Sequence, residues 1–141
     1  MRTVTLEGPG RFTLTDTAQP AAPGAREVLA RVLTVGICGT DLHAYEGTQP
    51  FFTYPRVLGH ELAVEVIESN ASEFKAGDRC AVNPYMTCGV CAACVRGRSN
   101  CCAWMRVIGV HSDGGMRDRI VLPAKQLYKC ENLPPVQIPL V

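Results

Sequence analysis

Apolar residues along the chain gather in short runs, separated by glycine, proline and charged positions. Residues 28–37 (VLARVLTVGI), 61–68 (ELAVEVIE), 79–82 and 119–122 (RIVL) are rich in β-branched and aliphatic side chains, the signature of strands. Two shorter runs, 3–6 and 11–14, flank Gly8-Pro9-Gly10 and predict an opening hairpin. Helical spacing is confined to residues 40–46, about two turns, and 92–96, about one. The Pro-Ala-Ala-Pro-Gly run at 20–24 joins the hairpin to the main body. A mostly β single domain follows. A partly open barrel is the expected architecture, because short strands must be closed or covered.

With 47% of its 141 residues apolar, the chain has material for a core and is not disordered as a whole. Fourteen basic against thirteen acidic residues leave a net charge of +1. That balance gives no electrostatic reason to seek nucleic acid or a membrane surface, and neither is expected as a partner. No apolar run reaches the roughly eighteen residues of a membrane-spanning helix. The opening MRTVTLEGPGRFTL lacks the apolar middle region of a secretion signal, so a cytoplasmic location is expected. The tail LPPVQIPLV at 133–141 carries no charge and no capping signal. It reads as interrupted sequence, so the chain is expected to be a fragment of a longer protein.

Eight cysteines, at 38, 80, 88, 91, 94, 101, 102 and 130, change the picture most. An even number invites disulfides, but without a secretion signal no oxidising compartment supports them. Cys88-Gly-Val-Cys91-Ala-Ala-Cys94 with Cys102 packs four thiols into fifteen positions. Tetrahedral Zn²⁺ takes four soft ligands at about 2.3 Å, and two-residue gaps let successive thiolates fold over one ion. A four-thiolate shell leaves no room for substrate, so this lobe is expected to be structural. Cys101 and Cys102 compete for the fourth place on spacing alone. A zinc ribbon for nucleic acid would show two separated pairs and a basic face, whereas only Arg96 and Arg98 lie near.

A second constellation lies upstream, in Gly36-Ile-Cys38-Gly-Thr40-Asp41-Leu-His43 followed by Gly59-His60-Glu61. Gly77-Asp78-Arg79 precedes the cysteine lobe and Gly97-x-x-Asn100-x-Cys102 closes it. With these motifs in this order the chain resembles the zinc-dependent medium-chain alcohol dehydrogenases. The resemblance implies a GroES-like, partly open β-barrel with short helices and a zinc lobe at about residues 84–103. It selects Cys102 over Cys101. Leu140-Val141 is similar to the lead-in to a Glu-Pro dipeptide in the polyol, sugar-acid and threonine branch. Val64 departs from the glycine common three residues after the Glu of the His-Glu pair.

The resemblance further implies a catalytic zinc on Cys38 and His60. A thiolate and a neutral imidazole bind zinc tightly while leaving positions open for substrate. By the same resemblance Thr40 is the hydroxyl that hydrogen-bonds the substrate oxygen. His43 is the solvent end of a proton relay, and Asp41 the acid that orients the zinc-binding histidine. If residues 40–46 are helical, Cys38 and His43 point roughly 140° apart and do not share an ion. Each of the three also has a plainer reading: helix N-cap for Thr40, first-turn charge for Asp41, an exposed helix position for His43. The third ligand stays open between Glu61 and a glutamate beyond residue 141. Tyr45, Phe51, Met105, Val110 and His111 are cleft-lining candidates by analogy, with packing the commoner role for any one of them.

No Gly-x-Gly-x-x-Gly and no strand–helix–strand alternation occur in the chain. The Rossmann cofactor domain that the resemblance implies is therefore absent from residues 1–141. The expected protein is the catalytic domain of an NAD- or NADP-linked zinc dehydrogenase, oxidising a secondary alcohol such as a polyol or sugar acid. The fragment alone is expected to be inactive, and the full-length enzyme a homo-oligomer. The alternative from a different class is a free-standing zinc-binding module used for protein interaction.

Overall fold

The computed structural model describes residues 1–140, and Val141 at the end of the tail lies outside the described residues. An opening hairpin of β1 (Arg2–Gly8) and β2 (Arg11–Asp16) turns through Gly8-Pro9-Gly10, as its flanking runs predict. The main sheet has five antiparallel strands in the order β8-β3-β4-β5-β9. These are β3 (Glu27–Gly36), β4 (Glu61–Ser69), β5 (Arg79–Val82), β8 (Arg119–Pro123) and β9 (Leu127–Lys129). A third, two-stranded ribbon pairs β6 (Tyr85–Met86) with β7 (Arg106–Val107). The helices are α1 (Gly39–Glu46) and the single turn α2 (Ala92–Val95). The mostly β reading holds. The sheets remain open and are not hydrogen-bonded into a closed barrel.

The sheet is covered on both faces, which explains the near-continuous apolar run of β4. Leu62, Val64 and Val66 pack on one side with Val28, Ala30, Ile120 and Leu122. Ala63 faces the other way, with Ala81 and the fully buried Ile138. Small side chains on that second face let the tail lie close to the sheet, where Ile138–Leu140 forms a 3₁₀ turn. The hairpin is tied to the body by reciprocal backbone bonds between Leu6 and Arg56, and Leu6 is buried with Ala44, Phe52, Leu58 and Val110. The register of β3 on β4 shifts at Leu29/Ala30 and again at Val32/Thr34, bending the pair so that Gly36 ends opposite Glu61. Both candidate zinc-site segments, 36–43 and 59–61, therefore meet at one end of the main sheet.

Candidate metal centres

Among the described residues, two groups of metal-ligating side chains converge. In the first, the sulfurs of Cys88, Cys91, Cys94 and Cys102 all lie within 4.8 Å of one another. Cys88 and Cys102 are 3.6 Å apart, while Cys88–Cys94 and Cys91–Cys102 are each 4.0 Å. Four sulfurs around one tetrahedral zinc would stand about 3.8 Å apart, so the cage already has the size of the ion. The Cys88 and Trp104 backbone N–H groups donate to Cys102, and the Cys91 N–H donates to Cys88. Backbone N–H groups of Cys94 and Ala103 hold the Cys91 thiol down to about 6, and those of Cys88 and Trp104 hold Cys102 below its usual range. Desolvation pushes Cys94 the other way, up to about 12. Four crowded thiols resist ionising together, and a dication in their midst removes that conflict.

Cys101, adjacent in sequence, is exposed and does not join the four converging sulfurs, whereas Cys102 does. All eight cysteines are free thiols. Cys80 is buried in the core, where desolvation raises it to about 11, and it behaves as an apolar side chain.

The second group joins Cys38, His60 and Glu61, whose ligand atoms also lie within 4.8 Å of one another. Cys38 is the N-cap of α1, just past the end of β3. Asp41 closes a capping box there, its Oδ2 accepting the Cys38 N–H at 3.0 Å. Its other oxygen, Oδ1, lies 3.7 Å from His60 Nδ1. Both atoms are buried, and among the described residues neither has a hydrogen-bond partner. The helix-start reading of Asp41 and the histidine-orienting reading therefore use different oxygens of one carboxylate. Thr40 sits inside the first turn, so the N-cap reading falls to Cys38 instead; its Oγ1 is 3.7 Å from Cys38 Sγ.

His60 is held by backbone packing. Gly59, with φ of +94°, turns the chain before it, and its carbonyl accepts the Gly115 N–H at 2.9 Å. Gly114 donates to Val57 and Met116 to Leu58. A Cβ at Gly109 would lie 2.8 Å from the Gly59 oxygen, and one at Gly114 would overlap it outright. The loop through these glycines thus presses backbone against backbone and fixes where His60 emerges.

Beside Cys38, His60 and Glu61 lies a cavity of about 440 Å³, also lined by Thr40, Tyr85 and the Ile138–Leu140 turn. His43 is not part of it. Its exposed ring stands 3.3 Å from Glu46 and 3.4 Å from the Thr48 hydroxyl. The cleft-lining candidates are elsewhere too. Tyr45 stacks on Phe12, Val110 is core, Phe51 is exposed, His111 accepts the Val107 N–H, and Met105 lines a different cavity. Tyr85 and the Ile138–Leu140 turn were missed because segments of two or three residues carry no readable periodicity.

The family model for the alcohol dehydrogenase GroES-like domain matches residues 24–134, most of the chain. The chain belongs to this family. Its motifs and relatives place it among the zinc-dependent medium-chain alcohol dehydrogenases. It is 45% identical over 121 residues to L-galactonate-5-dehydrogenase of Escherichia coli K12, covering 84% of this chain and 36% of that protein. Galactitol-1-phosphate dehydrogenase of Escherichia coli superposes with a TM-score of 0.91 at 26% identity, covering 99% of this chain and 41% of that one. A Sinorhizobium meliloti 1021 protein, described as a zinc-binding dehydrogenase and solved bound to NADP, gives a TM-score of 0.89 at 35% identity, covering 99% and 41%. The chain thus spans about two-fifths of the length of these relatives. Among the described residues no helix is long and apolar enough to cross a membrane.

Proposed function

We propose that residues 1–141 are the catalytic domain of a zinc-dependent, NAD- or NADP-linked dehydrogenase acting on a secondary alcohol of the polyol or sugar-acid class. The observation that carries this reading is the convergence of Cys38, His60 and Glu61 on the wall of a cavity, apart from a closed four-cysteine cage. Relatives named for L-galactonate and galactitol 1-phosphate support the substrate class. The cage, in a lobe at about residues 84–103, holds the structural zinc. A Rossmann domain elsewhere in the protein holds the dinucleotide, to which no residue of this chain is assigned. The whole enzyme is a homo-oligomer of the cytoplasm, where eight unpaired thiols are stable.

Thiolate, imidazole and carboxylate are donors that zinc accepts, and all three residues line the cavity, so a zinc held by them would be within reach of a substrate there. Zinc bound there supplies Lewis-acid polarisation, which eases loss of the substrate's hydroxyl proton. Asp41 Oδ1 stands 3.7 Å from His60 Nδ1 and is placed to orient the ring, whose Nε2 would then be the nitrogen available to a metal. Thr40 orients the substrate hydroxyl from the cavity wall, and His43, exposed on the same helix, exchanges the released proton with solvent. Leu62, Val82 and Ile138 line the cavity with apolar surface and limit the water that reaches it.

Zinc analysis of purified residues 1–141 tests this. Two ions per chain are expected, the weaker lost in Cys38→Ser and the tighter in Cys88→Ser. Appreciable NAD-linked alcohol turnover by residues 1–141 alone would overturn the division between this domain and a cofactor domain.

A further inference from the structure

Glu61 opens β4 directly opposite Gly36, the last residue of β3. A Cβ built on Gly36 would lie 2.5 Å from Glu61 Oε2 and 2.9 Å from Glu61 Cβ, with Pro139 Cβ at 3.3 Å. The Glu61 carboxylate therefore occupies the volume that a side chain at position 36 would fill. Pro139 also crowds the slot, on a turn anchored by the fully buried Ile138. Backbone conformation does not explain the glycine, since Gly36 is not among the residues with positive φ. The requirement is for space. An added methyl would crowd two atoms: the carboxylate end of Glu61, which is flexible and can swing away, and the Glu61 Cβ, which moves only with the start of β4.

We propose that Gly36 is a positioning residue for the second metal centre: its missing side chain is the slot that brings the Glu61 carboxylate to Cys38 and His60 as a third ligand. The proposal rests on reading those three residues as a metal site. Residue 36 then decides whether the carboxylate reaches the ion or retreats from it. With alanine at 36 the last β3–β4 pair gives by a few tenths of an ångström, the carboxylate leaves the slot, and the centre falls from three protein donors to two.

The test uses residues 1–141 with zinc in the four-cysteine cage and Co²⁺ titrated into the other centre, read by its visible absorption and by competition with a chelator. Gly36→Ala should weaken Co²⁺ binding about tenfold or more and change the absorption band, with the cage zinc retained. In a Glu61→Gly background the same substitution should change the affinity little, because neither carboxylate nor Cβ is left to displace. Wild-type affinity and spectrum in Gly36→Ala, or equal weakening in both backgrounds, would overturn the proposal. If Gly36→Ala does not fold, the double variant decides. Recovery of folding with Glu61→Gly locates the clash at the Glu61 side chain, and continued failure overturns the idea. Cys38→Ser separates the two levels: if it keeps the second metal, the metal-site reading itself is wrong.

Discussion

The two candidate metal centres of this chain are built in opposite ways. The four-cysteine cage draws every ligand from fifteen consecutive positions, held by single turns and backbone N–H donors, with exposed apolar neighbours such as Val90, Val95 and Trp104. The Cys38–His60–Glu61 centre takes its residues from a helix start and a strand start that only sheet pairing brings together. No residue of α2 or of the Ser99–Cys101 turn is buried, so the first has little core of its own, whereas the second is placed by the core of the main sheet. That difference separates a metal that supplies folding energy from one for which the fold supplies a site.

The largest effect should come from breaking the cage. Apparent binding energies for structural zinc in small modules are about 10–16 kcal/mol, and they are folding energy. Cys88→Ser should release one zinc and expose residues 88–102 to limited proteolysis, while circular dichroism of the main sheet persists. Loss of the whole fold in that variant would erase the contrast between the centres. The converse disturbance is Leu62→Ala, at a fully buried position adjoining Glu61 in the main core. It should cost about 2–5 kcal/mol in denaturant unfolding, and the second centre should loosen while the cage keeps its zinc. A smaller effect is expected from Asp41→Asn. One carboxylate oxygen still has an amide substitute for capping Cys38, but the charge facing His60 Nδ1 is gone. Metal affinity at that centre alone should fall about 10–100-fold, with the unfolding midpoint little changed.

The difference in construction also explains what could be read from the sequence. The cage was legible because its ligands are local: spacing alone gave three cysteines, and the family pattern decided between Cys101 and Cys102. The long strands were legible within a residue or two, since β-branched runs such as those at 28–37 and 61–68 are long enough to show themselves. Cys38 and His60 were assigned through the resemblance and not by spacing, because nothing within either segment reveals that Gly36 pairs with Glu61. The β6–β7 ribbon, the Ile138–Leu140 turn and the glycine packing around Gly59 went unread. Each depends on contacts between distant segments, and a two-residue strand has no period to detect. His43, which helical spacing sets apart from Cys38, is exposed and does not join Cys38, His60 and Glu61.

The mildest test concerns the far side of the sheet that carries the second centre. Asp78 is buried beside β5, where its Oδ2 accepts the Lys129 ammonium at 2.7 Å and the Lys75 N–H at 3.0 Å. The Lys129 bond, then the Lys75 N–H, hold its carboxyl below the usual carboxylate range. A carboxylate with a depressed folded value adds stability that is full above its unfolded value, about 4, and is lost as the pH falls through the lower folded one. Acid also strips zinc from thiolates, so neither curve alone isolates Asp78. The informative quantity is the gap in thermal midpoint between the wild type and Asp78→Asn at each pH. It should be widest near neutrality, narrow below about pH 4, and leave both zinc ions in place at pH 7. A gap that stays constant down to pH 3 would mean that Asp78 acts through its turn geometry and not through its charge. Loss of the second metal at pH 7 would show instead that the sheet edge and the Cys38 centre are one cooperative unit.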